Sequence, residues 1–188
     1  IPQDHFVISF RAIENGAKGT EYIRKMLEML KPSKPITILT VNEIGSFDGF
    51  KNKYNIIEVG WVHDDAKMVE IYGATDLFLM PSVAESFGLM AIEAMACGKP
   101  VVIFDGTALP GITFAPSCGV LVNKYDSRGL KEAVERMMIN EEDRLHRGKT
   151  GRELAQKYYD VNHYFDQTLA LYQDILSGKF KNKLFFLQ

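Results

Sequence analysis

Two stretches of this chain, ITILTV (36–41) and VVIF (101–104), are apolar without alternation. A strand with one wet face alternates apolar and polar residues; a strand covered on both faces need not. Uninterrupted apolar runs of strand length therefore predict a parallel sheet sandwiched between helices.

The rest of the chain fits that frame. FVISF (6–10), IIEVGWV (56–62), LFLMPS (77–82) and GVLVN (119–123) add further strands, and VVIFD (101–105) closes the fifth. GTEYIRKMLEML (19–30) carries Ile23, Met26, Leu27 and Leu30 at helical spacing and is stopped by Lys31-Pro32. Asp64-Asp65 begin a second helix through Met68, Val69 and Tyr72. GLMAIEAMACG (88–98) is a third, with Gly98 as its C-terminal stop. Residues 127–177 read as helical, with EEDR (141–144) as a solvated helix start. Strands alternating with helices give βαβ units and an open, Rossmann-like, doubly wound parallel sheet of about six strands. Such sheets bind ligands at the carboxyl ends of their strands. The segment 44–55 is expected to be a flexible loop.

The chain has 188 residues, enough for one domain with a real core. Residues 1–177 form that expected domain, and 178–188 a tail, either a docking segment or an appended sequence. The chain starts almost directly on a strand and without Met, which leads us to expect a piece of something longer. A net charge of −2 gives no reason to expect a nucleic-acid partner. No apolar run approaches a membrane span, although peripheral membrane association stays open. Cys97 and Cys118 sit in no metal or CxxC spacing, so small inert thiols in a reduced, cytoplasmic setting are expected.

Common chemical motifs are missing: no GxGxxG after the first strand, no GxxxxGK[ST], no HExxH, no GxSxG. What remains is ESFGLMAIEA (85–94). Gly88 lets the backbone approach a ligand, and the amides of Phe87, Gly88 and Leu89 would open a helix. Free N–H groups and the helix dipole there suit a phosphate. Glu85 and Glu93 bracket this turn, eight positions apart, about 12 Å if all were helical. Carboxylates accept bonds from sugar hydroxyls. Glu85 could equally complement the helix N-terminus, and Glu93 could be solvated or satisfied by a buried partner. Spacing alone does not choose.

MPSVAESFGLMAIEAMACGKPVV (80–102) resembles the E-x7-E signature of the group 1, or family 4, retaining glycosyltransferases of GT-B fold. FVISFRAIENGAKGTEYI, EVGWVHDDAKMVEIYGATDLFLMPS and GVLVNKYDSRGLKEAVERMM resemble the flanking segments, so the likeness covers roughly 6–175, the donor-binding half. The resemblance implies one half of a GT-B fold, with the acceptor-binding N-terminal domain absent. It implies a nucleoside diphosphate sugar donor, UDP- or GDP-linked, with no cofactor and no metal. It further implies that Glu85 meets the donor sugar and that Glu93 holds the nucleotide ribose. Ser86, Phe87, Gly88 and Leu89 would form the turn facing sugar and phosphate, and Arg11 and Lys18 would neutralise the leaving diphosphate. The acceptor, a glycan, lipid or protein, would reach the site through the missing domain, with the reaction in the cytoplasm or at the inner face of the membrane.

Two departures stand out. Arg11 and Lys18 lie seven positions apart where the family usually shows about five. DGTALPGIT (105–113) places Gly111 where the family often has a Glu, which leaves donor preference open. Three rivals remain at this level: a non-catalytic nucleotide-sugar-binding domain, a nucleotide-sugar epimerase of the same fold, and a flavodoxin-like phospho-signalling domain. The last would need an acidic pocket after the first strand, where this chain has Arg11. His63 and Trp61 could touch a base, but a solvated loop residue and a packed indole are the expected roles. Met26, Met29, Met137 and Met138 are expected in the core.

Overall fold

The computed structural model describes residues 1–179. Six strands alternate with helices: β1 (Phe6–Ala12), α1 (Thr20–Met29), β2 (Ile36–Asn42), β3 (Asn55–Glu58), α2 (Asp65–Gly73), β4 (Leu77–Met80), α3 (Leu89–Ala96), β5 (Val101–Phe104), α4 (Leu109–Ile112) and β6 (Val120–Val122). Three longer helices follow: α5 (Ser127–Ile139), α6 (Glu141–Tyr158) and α7 (Val161–Leu176). All strands pair in parallel, in the order β3-β2-β1-β4-β5-β6. The order reverses between β1 and β4, and a ligand crevice in such a sheet lies at the carboxyl ends of the strands beside this switch point.

Both sheet faces are covered, as the apolar runs require. Phe6, Ile8, Phe10 and Ala12 of β1 join Ile23, Met26, Leu27, Val134 and Met137 from α1 and α5 on one side. Val7 faces the other side with Leu39, Val41 and Ile71. Strand periodicity of two then puts Arg11 on the Val7 face, the side of α2 and α3. A second cluster, around Phe78, Ala91, Met95, Val101 and Ile103, packs α3 against β4 and β5. Ala91, Ala94 and Met95 on α3 are fully buried, so this helix is fixed along most of its length.

Several expectations need correction. The third strand ends at Glu58; Val59 and Gly60 each keep one backbone bond to β2, and Gly60, with a left-handed φ of 79°, then turns Trp61 and Val62 away from the sheet. The segment 44–55 is not a slack loop. It holds a 3-10 turn (Asp48–Phe50) and buries Phe47 and Tyr54, whose hydroxyl donates to the Leu27 carbonyl at 2.7 Å. Met29 lies at the end of α1 and is 38% exposed, while Met26, Met137 and Met138 are buried as expected. DGTALPGIT contains the short helix α4, with Pro110 in its first turn and Leu109 buried. No helix among the described residues is long and apolar enough to cross a membrane. The tail from 180 onward lies outside the described residues.

Candidate active site

The loop after β1 and the loop after β4 meet at the crevice, and their backbones are joined. Val83 and Ala84 both donate their amides to the Ala17 carbonyl, at 2.9 and 3.4 Å. Asn15 Oδ1 accepts from the amides of Ala17 and Lys18, which tightens the turn. Gly19 then enters α1 with φ 74°, and a Cβ there would sit 1.9 Å from the Pro81 carbonyl oxygen. Only glycine allows this approach. The result fixes Lys18 opposite Glu85: Lys18 Nζ lies 2.7 Å from Glu85 Oε2, with side chains 23% and 11% exposed. The second carboxylate oxygen of Glu85 accepts from the Ser86 amide at 3.2 Å.

Arg11 comes from the end of β1. Asn42, its neighbour at the end of β2, offers its side-chain oxygen to Arg11 Nε and Nη2 at 3.0 and 3.1 Å in the amide orientation that satisfies both groups. Asn42 has φ 85°, a left-handed backbone that asparagine tolerates better than most residues. The Arg11 guanidinium also lies 5.9 Å from the centre of the Trp61 ring. Trp61 is 65% exposed, so it does not pack in the core as expected. His63, an exposed loop residue as expected, stacks on it, with centroids 6.5 Å apart.

ESFGLM forms the floor. Glu85 precedes α3 rather than lying in it, so the separation built on a continuous helix does not apply; Gly88 caps the helix with φ 91°. Among the described residues, the amides of Phe87, Gly88, Leu89 and Met90 donate to no protein acceptor. Four unpaired donors at a helix start form a ready anion site. A Cβ on Gly88 would lie 2.4 Å from Leu109 Cδ2, so α4 presses this turn from behind. Ala108 also donates its amide to the Glu85 carbonyl at 3.3 Å.

These parts line two adjoining hollows. The first, about 300 Å³, brings together Arg11, Lys18, Glu85, Ser86, Phe87, Gly88 and Leu89. It also holds Ser82, whose fully buried hydroxyl has no partner among the described residues. The second, about 250 Å³, shares Arg11 and Met90 with the first and adds Asn42, Trp61 and Glu93. Glu93 stands exposed on α3, and Tyr72 donates its hydroxyl to Glu93 Oε2 at 2.8 Å. Burial holds the Tyr72 phenol far above its ordinary pKa, so it stays a donor. Burial likewise raises the thiols of Cys97 and Cys118, away from reactive thiolate behaviour.

Arg11, Lys18, Glu85, Ser86, Phe87, Gly88 and Leu89 thus line the first hollow and Glu93 the second, while His63 lines neither. Asn42 and Tyr72 were not foreseen. Their partners lie 31 residues upstream and 21 residues downstream, and no local spacing marks either contact. The cleft offers two cations, a bank of free amides and two carboxylates at the switch point of a parallel sheet. Such groups can pair with anionic and with hydroxyl-bearing partners.

The chain belongs to a known family on direct comparison: residues 17–154 match the model for glycosyl transferases group 1. A D-inositol 3-phosphate glycosyltransferase of Saccharomonospora viridis is 34% identical over 111 residues, 59% of this chain and 26% of the relative. Sucrose-phosphate synthase from Thermosynechococcus elongatus superposes with a TM-score of 0.79 at 23% identity, over 95% of this chain and 47% of that one. Anabaena HepE in complex with UDP-glucose gives 0.74 at 20% identity, over 88% and 49%. These likenesses establish the fold. The chain spans less than half the length of the curated relatives it matches.

Proposed function

We propose that this chain is the donor-binding domain of a retaining glycosyltransferase that moves a hexose-type sugar from a nucleoside diphosphate, UDP or GDP, to an acceptor held by a second domain. One observation carries the reading: Arg11, Lys18, the free amides of residues 87–90 and Glu85 converge on one cleft. In the reaction, the bond between the sugar anomeric carbon and the diphosphate oxygen breaks, and its electron pair leaves with the diphosphate. The acceptor hydroxyl oxygen then bonds to the same carbon, on the same face, and its proton passes to the departing diphosphate oxygen. Negative charge grows on the leaving group, where Arg11, Lys18 and the amides stabilise it without reorganising. Glu85 faces the sugar, supports its positive charge and orients its hydroxyls. Glu93, just over one turn into α3, takes the ribose in the adjoining hollow. Trp61 and His63 border the side where a base would lie.

No cofactor beyond the donor and no metal enters this scheme, since the fixed cations do the neutralising. The free thiols suit a cytoplasmic setting, and the acceptor, whether glycan, lipid or protein, approaches from the partner domain or a membrane surface. Residues 1–177 act as the donor domain.

A thermal-shift titration with UDP, GDP and their sugars tests the reading. A ligand that binds only the native state raises the melting temperature with concentration. Arg11→Ala and Lys18→Ala should each weaken binding by about tenfold or more, as expected for a charge-assisted contact. A flat response to every nucleotide would overturn the proposal, and so would sustained sugar transfer by residues 1–188 alone.

A further inference from the structure

Tyr72 is 2% exposed, and its ring meets Phe78 of β4 edge-on, with centroids 5.6 Å apart. A ring held between α2 and the sheet has little freedom, so its hydroxyl is a fixed point. A buried phenol needs one acceptor, and a backbone carbonyl would serve. Here the acceptor is instead Oε2 of an exposed carboxylate, Glu93, at the rim of the cleft. Glu93 borders both the hollow of Arg11 and Trp61 and the neighbouring hollow lined by Tyr72, Val69 and Cys97. Among the described residues, Oε1 of Glu93 has no partner.

We propose that Tyr72 is a positioning residue that sets preference for ribose over 2′-deoxyribose in the donor nucleotide. The inference rests on the donor-site reading and deepens it. A solvated Glu side chain loses considerable rotamer freedom when it grips a ligand. Tyr72 removes that freedom beforehand. Being neutral, it does so without cancelling the carboxylate charge. One oxygen is thereby anchored and the other is left to accept from a vicinal diol. A 2′-deoxy nucleotide lacks half of that diol and gains little from the arrangement. The contact acts on ribose recognition alone, because neither the phosphate-side groups nor the sugar-side acid touch Tyr72.

Calorimetric titration of this chain with UDP against 2′-deoxy-UDP, and GDP against 2′-deoxy-GDP, reads the preference directly. The wild-type chain should favour the ribose form. Tyr72→Phe, which keeps the ring and removes the hydroxyl, should lower ribonucleotide affinity about tenfold and leave the deoxynucleotide within about twofold. Tyr72→Leu, also without a hydroxyl, takes its place should the Phe variant fail to fold. An unchanged preference overturns the inference and leaves the donor site standing. Equal weakening of both nucleotides also overturns it, since that is what a purely structural tyrosine would give. If neither nucleotide binds either protein, the donor-site reading falls, and the inference with it.

Discussion

Lys18 Nζ and Glu85 Oε2 lie 2.7 Å apart although 67 residues separate them in the chain. Each neutralises the other, so the acid proposed for the sugar and the cation proposed for the diphosphate are held by a single contact. A donor that enters this cleft has to exchange that internal pair for its own groups.

Glu85→Gln keeps the shape of the side chain and removes its charge. In the full-length protein, transfer should fall by about 10²–10³-fold, the usual cost of removing one group that stabilises transition-state charge. Nucleoside diphosphate binding should persist, because Lys18 then has no carboxylate to leave. An unchanged transfer rate would take Glu85 out of the chemistry. Comparing donor consumption with and without acceptor on the same protein separates transfer from epimerisation.

Asn42 joins two tasks: a left-handed backbone at the end of β2 and a fork to Arg11. Asn42→Gly retains the first and deletes the second. Chemical denaturation should show little loss of stability, while UDP or GDP affinity drops by about threefold to tenfold, the range of one charge-assisted contact. Equal affinity would show that Arg11 needs no such support.

Gly16 and Gly19 share the same loop and similar φ values of 69° and 74°. Around Gly16 a Cβ meets nothing within 4 Å; around Gly19 it meets the Pro81 carbonyl. Gly16→Ala should therefore cost only the left-handed strain, about 1 kcal/mol. Gly19→Ala adds a backbone clash and should cost roughly 3 kcal/mol or more, with donor binding lost in parallel. Denaturant midpoints of the two variants measure the difference.

Tyr54 gives a pH signature. Burial pushes its phenol from 10.0 to about 12, so the folded state favours the neutral form. A raised folded pKa means a contribution that is complete below pH 10 and lost as the pH rises from there through 12. Melting temperatures should stay level up to about pH 9 and decline beyond pH 10. Tyr54→Phe should flatten part of that decline, and an unaltered alkaline limb would refute the assignment.

Much of this molecule was readable in advance. The central strands were visible because burial on both faces leaves a continuous apolar record, which the edge strands β3 and β6 carry less fully, and ESFGLMAIEA stood out because small residues and acids mix where a core helix should be plain. The misreadings have a common cause. Phe47 and Tyr54 looked like loop residues because their segment has no periodicity; it is a packed turn held by single aromatics. Trp61 was expected inside because indoles usually are, whereas Gly60 turns it out over Arg11. Tyr72 and Asn42 do their work through one long-range hydrogen bond each, and a one-dimensional pattern contains no trace of such pairs. The extra length between Arg11 and Lys18 was visible, but its accommodation by the Asn15 turn was not.

The seam between the loop after β1 and the loop after β4 has a consequence for engineering. Ala17 takes two amides from Val83 and Ala84, and Gly19 lies against Pro81. Neither loop is a portable cassette. Swapping residues 13–19 with those of a relative, to change donor choice, would import one edge of a joint without its mate. Chimeras should tolerate exchange only when 81–85 travels along, so the smallest transferable unit of this cleft is discontinuous in sequence.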